Sequence, residues 1–86
     1  MRSTRKTFND EMRAITDKYG VSISYVPDDY NGHSIAEIDF MSCSGDINLD
    51  DVLKIINIAK KYELIDGSFS APEKSWIRIT LVFPRD

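Results

Sequence analysis

The sequence predicts an α+β domain: a two-layer sandwich in the order αββαββ (or αββαβ), an antiparallel sheet with two helices on one face. Three observations predict it. Residues 48–62, NLDDVLKIINIAKKY, spread apolar side chains over roughly 220° of a helix, so this segment needs burial on more than one side. Residues 75–83, SWIRITLVF, are an unbroken run of β-branched and aromatic residues with two alternating faces. Residues 21–26 and 33–42 also alternate and flank a turn cluster, which reads as a hairpin.

Taken in order, the first helix starts near Thr4 or Thr7 and ends at Tyr19. Phe8, Met12, Ile15 and Tyr19 recur at helical spacing on one narrow stripe. Ser3, Thr4 and Thr7 supply N-cap oxygens, and Asp10 and Glu11 suit the positive end of the dipole. Gly20 is placed to leave the helix in a left-handed conformation. The first strand, 21–26, sets Val21, Ile23 and Tyr25 against Ser22 and Ser24. Pro27, Asp28, Asp29, Asn31 and Gly32 form the turn. On the second strand, 33–42, Ala36, Ile38 and Phe40 point one way, and Ile35, Glu37, Asp39 and Met41 the other.

Asn48 caps the second helix, Asp50 and Asp51 complement its first turn, and Lys60 and Lys61 its last. A weak third strand, 64–70, is interrupted by Asp66 and Gly67. The last strand directs Ile77, Ile79, Leu81 and Phe83 to one face and Trp76, Arg78, Thr80 and Val82 to the other. A single shift that carries Tyr19 onto Tyr62 also carries Lys18 onto Lys61, Ile15 onto Ile58 and Phe40 onto Phe83. It suggests two helix–hairpin halves meeting in one sheet. One sheet face and one narrow helix stripe do not cover the whole apolar arc of the second helix, so Ile55 and Ile58 are expected to stay partly exposed.

Composition narrows the function classes. The 86 residues make one domain, with 42% hydrophobic and 29% charged residues, a globular balance. A net charge of −3 disfavours indiscriminate binding to nucleic acid or anionic membrane. One cysteine excludes an internal disulfide and suits a reducing compartment. No apolar run follows the basic start, and none is long enough to span a bilayer, so the expected location is cytoplasmic.

Motifs for specific chemistry are missing from the sequence. Gly20, Gly32, Gly45 and Gly67 are isolated, so there is no phosphate loop. Cys43 and His33 stand at opposite ends of one strand, roughly 30 Å apart at about 3.3 Å per residue, too far for a nucleophile and its base. Turn formation and helix capping account for Asp28, Asp29, Asp46, Asp50 and Asp51, so neither a metal nor a cofactor is expected.

What stands out is the outward sheet face, with Ile35, Glu37, Asp39, Met41, Trp76, Arg78 and Val82. An uncovered apolar face bearing a tryptophan and a few charges has the composition of a protein interface. The expected function is a non-enzymatic protein-binding module using that face or an exposed strand edge. It would be a stoichiometric inhibitor, of immunity or phage anti-host type, or a self-associating domain such as a homodimer. Two alternatives belong to other classes. A nucleic-acid accessory protein would use the basic tip Arg2, Arg5 and Lys6 together with Tyr30, Trp76 and Arg78. A small enzyme would use Glu37 and Asp39 as acids, although their position across the sheet from Arg78 favours a cross-strand ion pair.

Overall fold

The computed structural model describes residues 5–28, 32–41, 47–73 and 76–84. Helix α1 (Arg5–Tyr19) is followed by β1 (Ile23–Asp28), β2 (His33–Met41), α2 (Leu49–Lys60), β3 (Asp66–Glu73) and β4 (Trp76–Pro84). All strand pairs are antiparallel, and the sheet order is β1-β2-β4-β3. This is the expected αββαββ arrangement.

The two long strands form the centre because their inward faces are wholly apolar. Ala36 lies opposite Leu81, Ile38 opposite Ile79 and Phe40 opposite Ile77. These residues and Phe83 are buried, apart from Ile77, and close over Phe8, Met12 and Ile15 of α1 and Ile55 and Ala59 of α2. Phe8 is the keystone of the helix side. Its ring meets those of Tyr62 and Phe83 edge-on, with centroids 5.3 and 5.4 Å away.

Both helices are followed by a residue with positive φ. Val21 N–H bonds to Thr16 O at 2.9 Å and Gly20 N–H to Asp17 O at 3.2 Å, a Schellman ending with Gly20 at φ +63°. The shift that carries Tyr19 onto Tyr62 carries Gly20 onto Glu63, which has φ 63°. It also carries Glu37 onto Thr80, and these two lie directly opposite each other in the sheet. A local two-fold axis therefore runs between β2 and β4 and relates the two halves. At the start of α2, the Asn48 side chain accepts from Asp50 N–H, as expected of the cap.

Three expectations need correction. The first strand lies at Ile23–Asp28 rather than 21–26, and so includes Pro27. This is tolerated because β1 is an edge strand. The third strand begins at Asp66, where an interruption was expected, and runs to Glu73. Ile55 is fully buried, because it points into the sheet, whereas Ile58 stays partly exposed beside α1, as expected. The exposed part of the α2 arc is instead Leu49 and Leu53. Thr4, Asp29, Asn31, Cys43 and Asp46 lie outside the described residues.

Two substitutions test this packing by chemical denaturation. Phe8→Ala should lower stability by about 3–5 kcal/mol, since a fully buried ring at the junction of both helices and the sheet is lost. Glu63→Gly should raise it by up to about 1 kcal/mol by relieving the left-handed strain of a residue with a Cβ.

Candidate functional site

The sheet register brings the predicted surface residues together. Ile35 lies opposite Val82, Asp39 opposite Arg78 and Met41 opposite Trp76, with Glu37 opposite Thr80 between them. No helix covers this face, yet Ile35, Glu37, Asp39, Trp76, Arg78 and Val82 are all half-buried. They shield one another. Asp39 Oδ1 accepts from Trp76 Nε1 at 2.9 Å and from Arg78 Nε at 2.7 Å. Arg78 Nη1 lies 3.7 Å from Glu37 Oε2, and its guanidinium sits 4.8 Å from the Trp76 ring centroid.

Arg78 is thus held by two carboxylates and an indole. Its hydrogen bond, aided by that of Trp76, keeps the Asp39 carboxyl below its ordinary value. The patch is a braced, largely self-satisfied plate. Its cation is already engaged by both carboxylates, and Asp39 also borders an open hollow of about 320 Å³ together with Tyr19, Gly20, Val21, Ser22 and Ser24. Of the residues named for nucleic-acid contact, Arg2 and Tyr30 lie outside the described residues, and Arg5 stacks its guanidinium 4.1 Å over Tyr25.

A second cluster lies between the helices. Lys18 Nζ donates to Asp51 Oδ2 at 2.7 Å, and Tyr19 Oη donates to the same oxygen at 2.6 Å. Tyr19 Oη also accepts from Asn48 N–H at 3.0 Å, and its ring meets Phe40 edge-on. At the other end of the pair, Lys61 and Tyr62 both donate to Glu11, Lys61 at 2.9 Å. A Lys–Tyr pair at the end of each helix therefore grips a carboxylate on the other, which requires the helices to run antiparallel. Between the grips is an open groove of about 370 Å³, floored by Ala14, Ile15 and Ile58.

Asp51 is nearly inaccessible at 5%, yet its carboxyl is held below its ordinary value by Lys18 first and Tyr19 second. Glu11 is lowered by Tyr62 and then Lys61. The hydrogen bond it accepts from the phenol, together with burial, pushes Tyr62 up to about 12. Among the described residues no three His, Cys, Asp or Glu side chains converge to hold a metal, and no helix is long and apolar enough to cross a membrane.

The third feature was missed in the sequence. Among large apolar residues, Leu49 is 70%, Phe69 56%, Leu53 53%, Ile65 51%, Val26 41% and Ile77 37% exposed. Val26 stands alone on β1, and the other five belong to the side of α2 and β3. Gly67 lies opposite Leu81 and Phe69 opposite Ile79, so both face the helix layer. A Cβ on Gly67 would stand 3.9 Å from Ile56 Cδ1, so α2 passes beside β3 here. Leu53 and Leu49 follow Ile56 along that side of α2, toward the end held at Tyr19 and Phe40. Phe40 is paired with Ile77, so Leu49, Leu53, Phe69 and Ile77 all border the open side of the layer between α2 and β3.

The cause is a one-residue slip. On the opposite edge, β1 presents Ile23 opposite Ile38 and Tyr25 opposite Ala36, under α1. The shift relating the halves would set Asp66 opposite Leu81, but Asp66 pairs with Val82 and Gly67 takes the inward place. The wide apolar arc of α2 was a signal for this flank, but the inward turn of Phe69 depends on a register that the sequence does not display.

No protein-family model matches the sequence, and neither a curated protein nor a solved structure matches it.

The two grips, together with Asp39 of the plate, set the acid limit of stability. A carboxylate with a lowered native value contributes fully above its unfolded value, here 4.5 for Glu11 and 3.8 for Asp51, and the contribution is lost as pH falls through the native values. The urea midpoint should be level above about pH 5 and fall below it. The double variant Glu11→Gln, Asp51→Asn should start lower and show a shallower fall. Tyr62 has the opposite sign: its contribution is complete below pH 10.0 and is lost as pH rises through about 12, which ultraviolet titration of Tyr62→Phe against wild type should show.

Proposed function

We propose that this chain is a non-enzymatic protein-binding module whose docking surface is the flank of α2 and β3. The observation that carries this reading is the exposure of Leu49, Leu53, Phe69 and Ile77 along the side of the molecule that ends in the edge strand β3. Large apolar side chains exposed together beside free backbone donors and acceptors are the chemistry of strand addition: the ladder holds the partner, and the pockets beside it select the side chains. A stoichiometric inhibitor or a self-associating domain would work in this way.

The plate of Asp39, Trp76 and Arg78 has a supporting role in this reading. Its groups are committed to one another, so it stiffens the two central strands, and its half-buried Trp76 offers a smaller second contact surface. The same commitment weighs against the alternatives, because nucleic-acid contact would need Arg78 free and acid–base catalysis would need Glu37 and Asp39 free.

Capture from a lysate of the source organism by tagged variants tests the surface. Leu53→Glu and Phe69→Glu should each lower capture of the bound protein at least about tenfold, the order of effect of one hot-spot residue. Their circular dichroism and thermal midpoint should stay near wild type. Capture equal to wild type by both variants would sink the flank, and loss confined to Trp76→Ala would move the binding to the sheet face.

A further inference from the structure

Resting on that reading, we infer that the partner on this flank is a second copy of the chain, added so that β3 pairs antiparallel with the same strand of the copy. The two-fold axis would stand perpendicular to the sheet at Ser68. Two four-stranded sheets would become one continuous sheet, with all four helices on the same face.

Four observations converge on this occupant. First, β3 ends the sheet, and residues 66–71 are all exposed, so its outer backbone groups have no strand to pair with. Second, the segment is compatible with itself. In an isologous contact every charge meets the same surface again. Residues 67–71, GSFSA, carry no charge, and pairing centred on Ser68 sets Asp66 opposite Ser70 of the copy rather than another carboxylate.

Third, the same register sets Phe69 opposite Gly67 of the copy. The ring then lies over a residue that has no side chain, on the face already turned toward the helices. Leu49 and Leu53 of the two copies close over these rings. The exposed fractions of Leu49, Leu53, Ile65, Phe69 and Ile77 leave on the order of 500 Å² per copy. Two copies therefore join about 1,000 Å², the threshold of a specific interface. Fourth, the opposite edge is already dressed. Tyr25 on β1 bonds to Asn9 and lies under Arg5, and Pro27 interrupts the donors of that strand, whereas Pro72 of β3 lies beyond the 66–70 segment that would pair.

Sedimentation equilibrium of the full chain, from about 1 to about 500 µM, gives the first readout. Wild type should pass from monomer to dimer across this range. Phe69→Glu should raise the dimer dissociation constant at least about tenfold while keeping the circular dichroism spectrum of the dilute monomer. The second readout fixes the geometry. In a Cys43→Ser background, Ser68→Cys should give a disulfide-linked dimer under mild oxidation, and Ser24→Cys on β1 should not.

A wild type that is monomeric throughout, or dimerisation unaffected by Phe69→Glu, overturns the second copy, as does cross-linking at Ser24→Cys alone. A monomeric wild type leaves the docking surface standing if Leu53→Glu and Phe69→Glu still lose a different captured protein. If those variants also keep their capture, the surface falls as well.

Discussion

Nine residues of β2 pair with nine of β4, and this ladder alone joins the two halves of the sheet. The remaining packing depends on it. It brings Ala36, Ile38 and Phe40 beside Ile79, Leu81 and Phe83, a continuous apolar floor that neither hairpin has by itself. The helices have somewhere to bury Phe8, Met12, Ile15, Ile55 and Ala59 only once the floor is complete. On the opposite face the ladder aligns Asp39 with Arg78, and so creates the braced plate.

The helices are then locked by position-specific electrostatics. Each Lys–Tyr pair approaches a carboxylate of the other helix, and charge-assisted bonds to that carboxylate select one antiparallel register from the many that apolar contact would permit. Apolar packing is tolerant of sliding, whereas a buried acceptor gripped by two donors is not. Asp51 shows why the grips matter: it is the one charged side chain buried among the described residues, and without Lys18 and Tyr19 it would be a buried charge left with only the weaker attraction of Lys54.

The two-fold relation between the halves holds through the helices and the central strands and fails at the edges. Arg5 and Asn9 of α1 dress Tyr25 on β1. On β3 the slip by one residue removes the matching side chain and substitutes Gly67. Both strands end the sheet, but the helix-facing side of β1 is dressed by α1, whereas that of β3 leaves Phe69 exposed. The proposed interaction rests on this break in symmetry. Had both edges followed the register of β1, Phe69 would face away from the helix layer, and Leu53 would have no neighbour across the gap.

Much of this was legible in the residues alone. Helical spacing singled out Phe8, Met12 and Ile15, alternation assigned both faces of β2 and β4, and Gly20 and Asn48 marked helix ends that the structure bears out. The grouping of Ile35, Glu37, Asp39, Trp76, Arg78 and Val82 on one face also follows from alternation, because a period of two survives any pairing partner. The sequence determined which residues share a face; the tertiary structure decided which faces meet. Whether Leu53 or Ile55 is covered depends on how far α2 lies from β3. Whether Phe69 points in or out depends on a one-residue register choice. Both are set by contacts between segments distant in sequence, where the energies of neighbouring registers differ by a few side chains and no local pattern records the outcome.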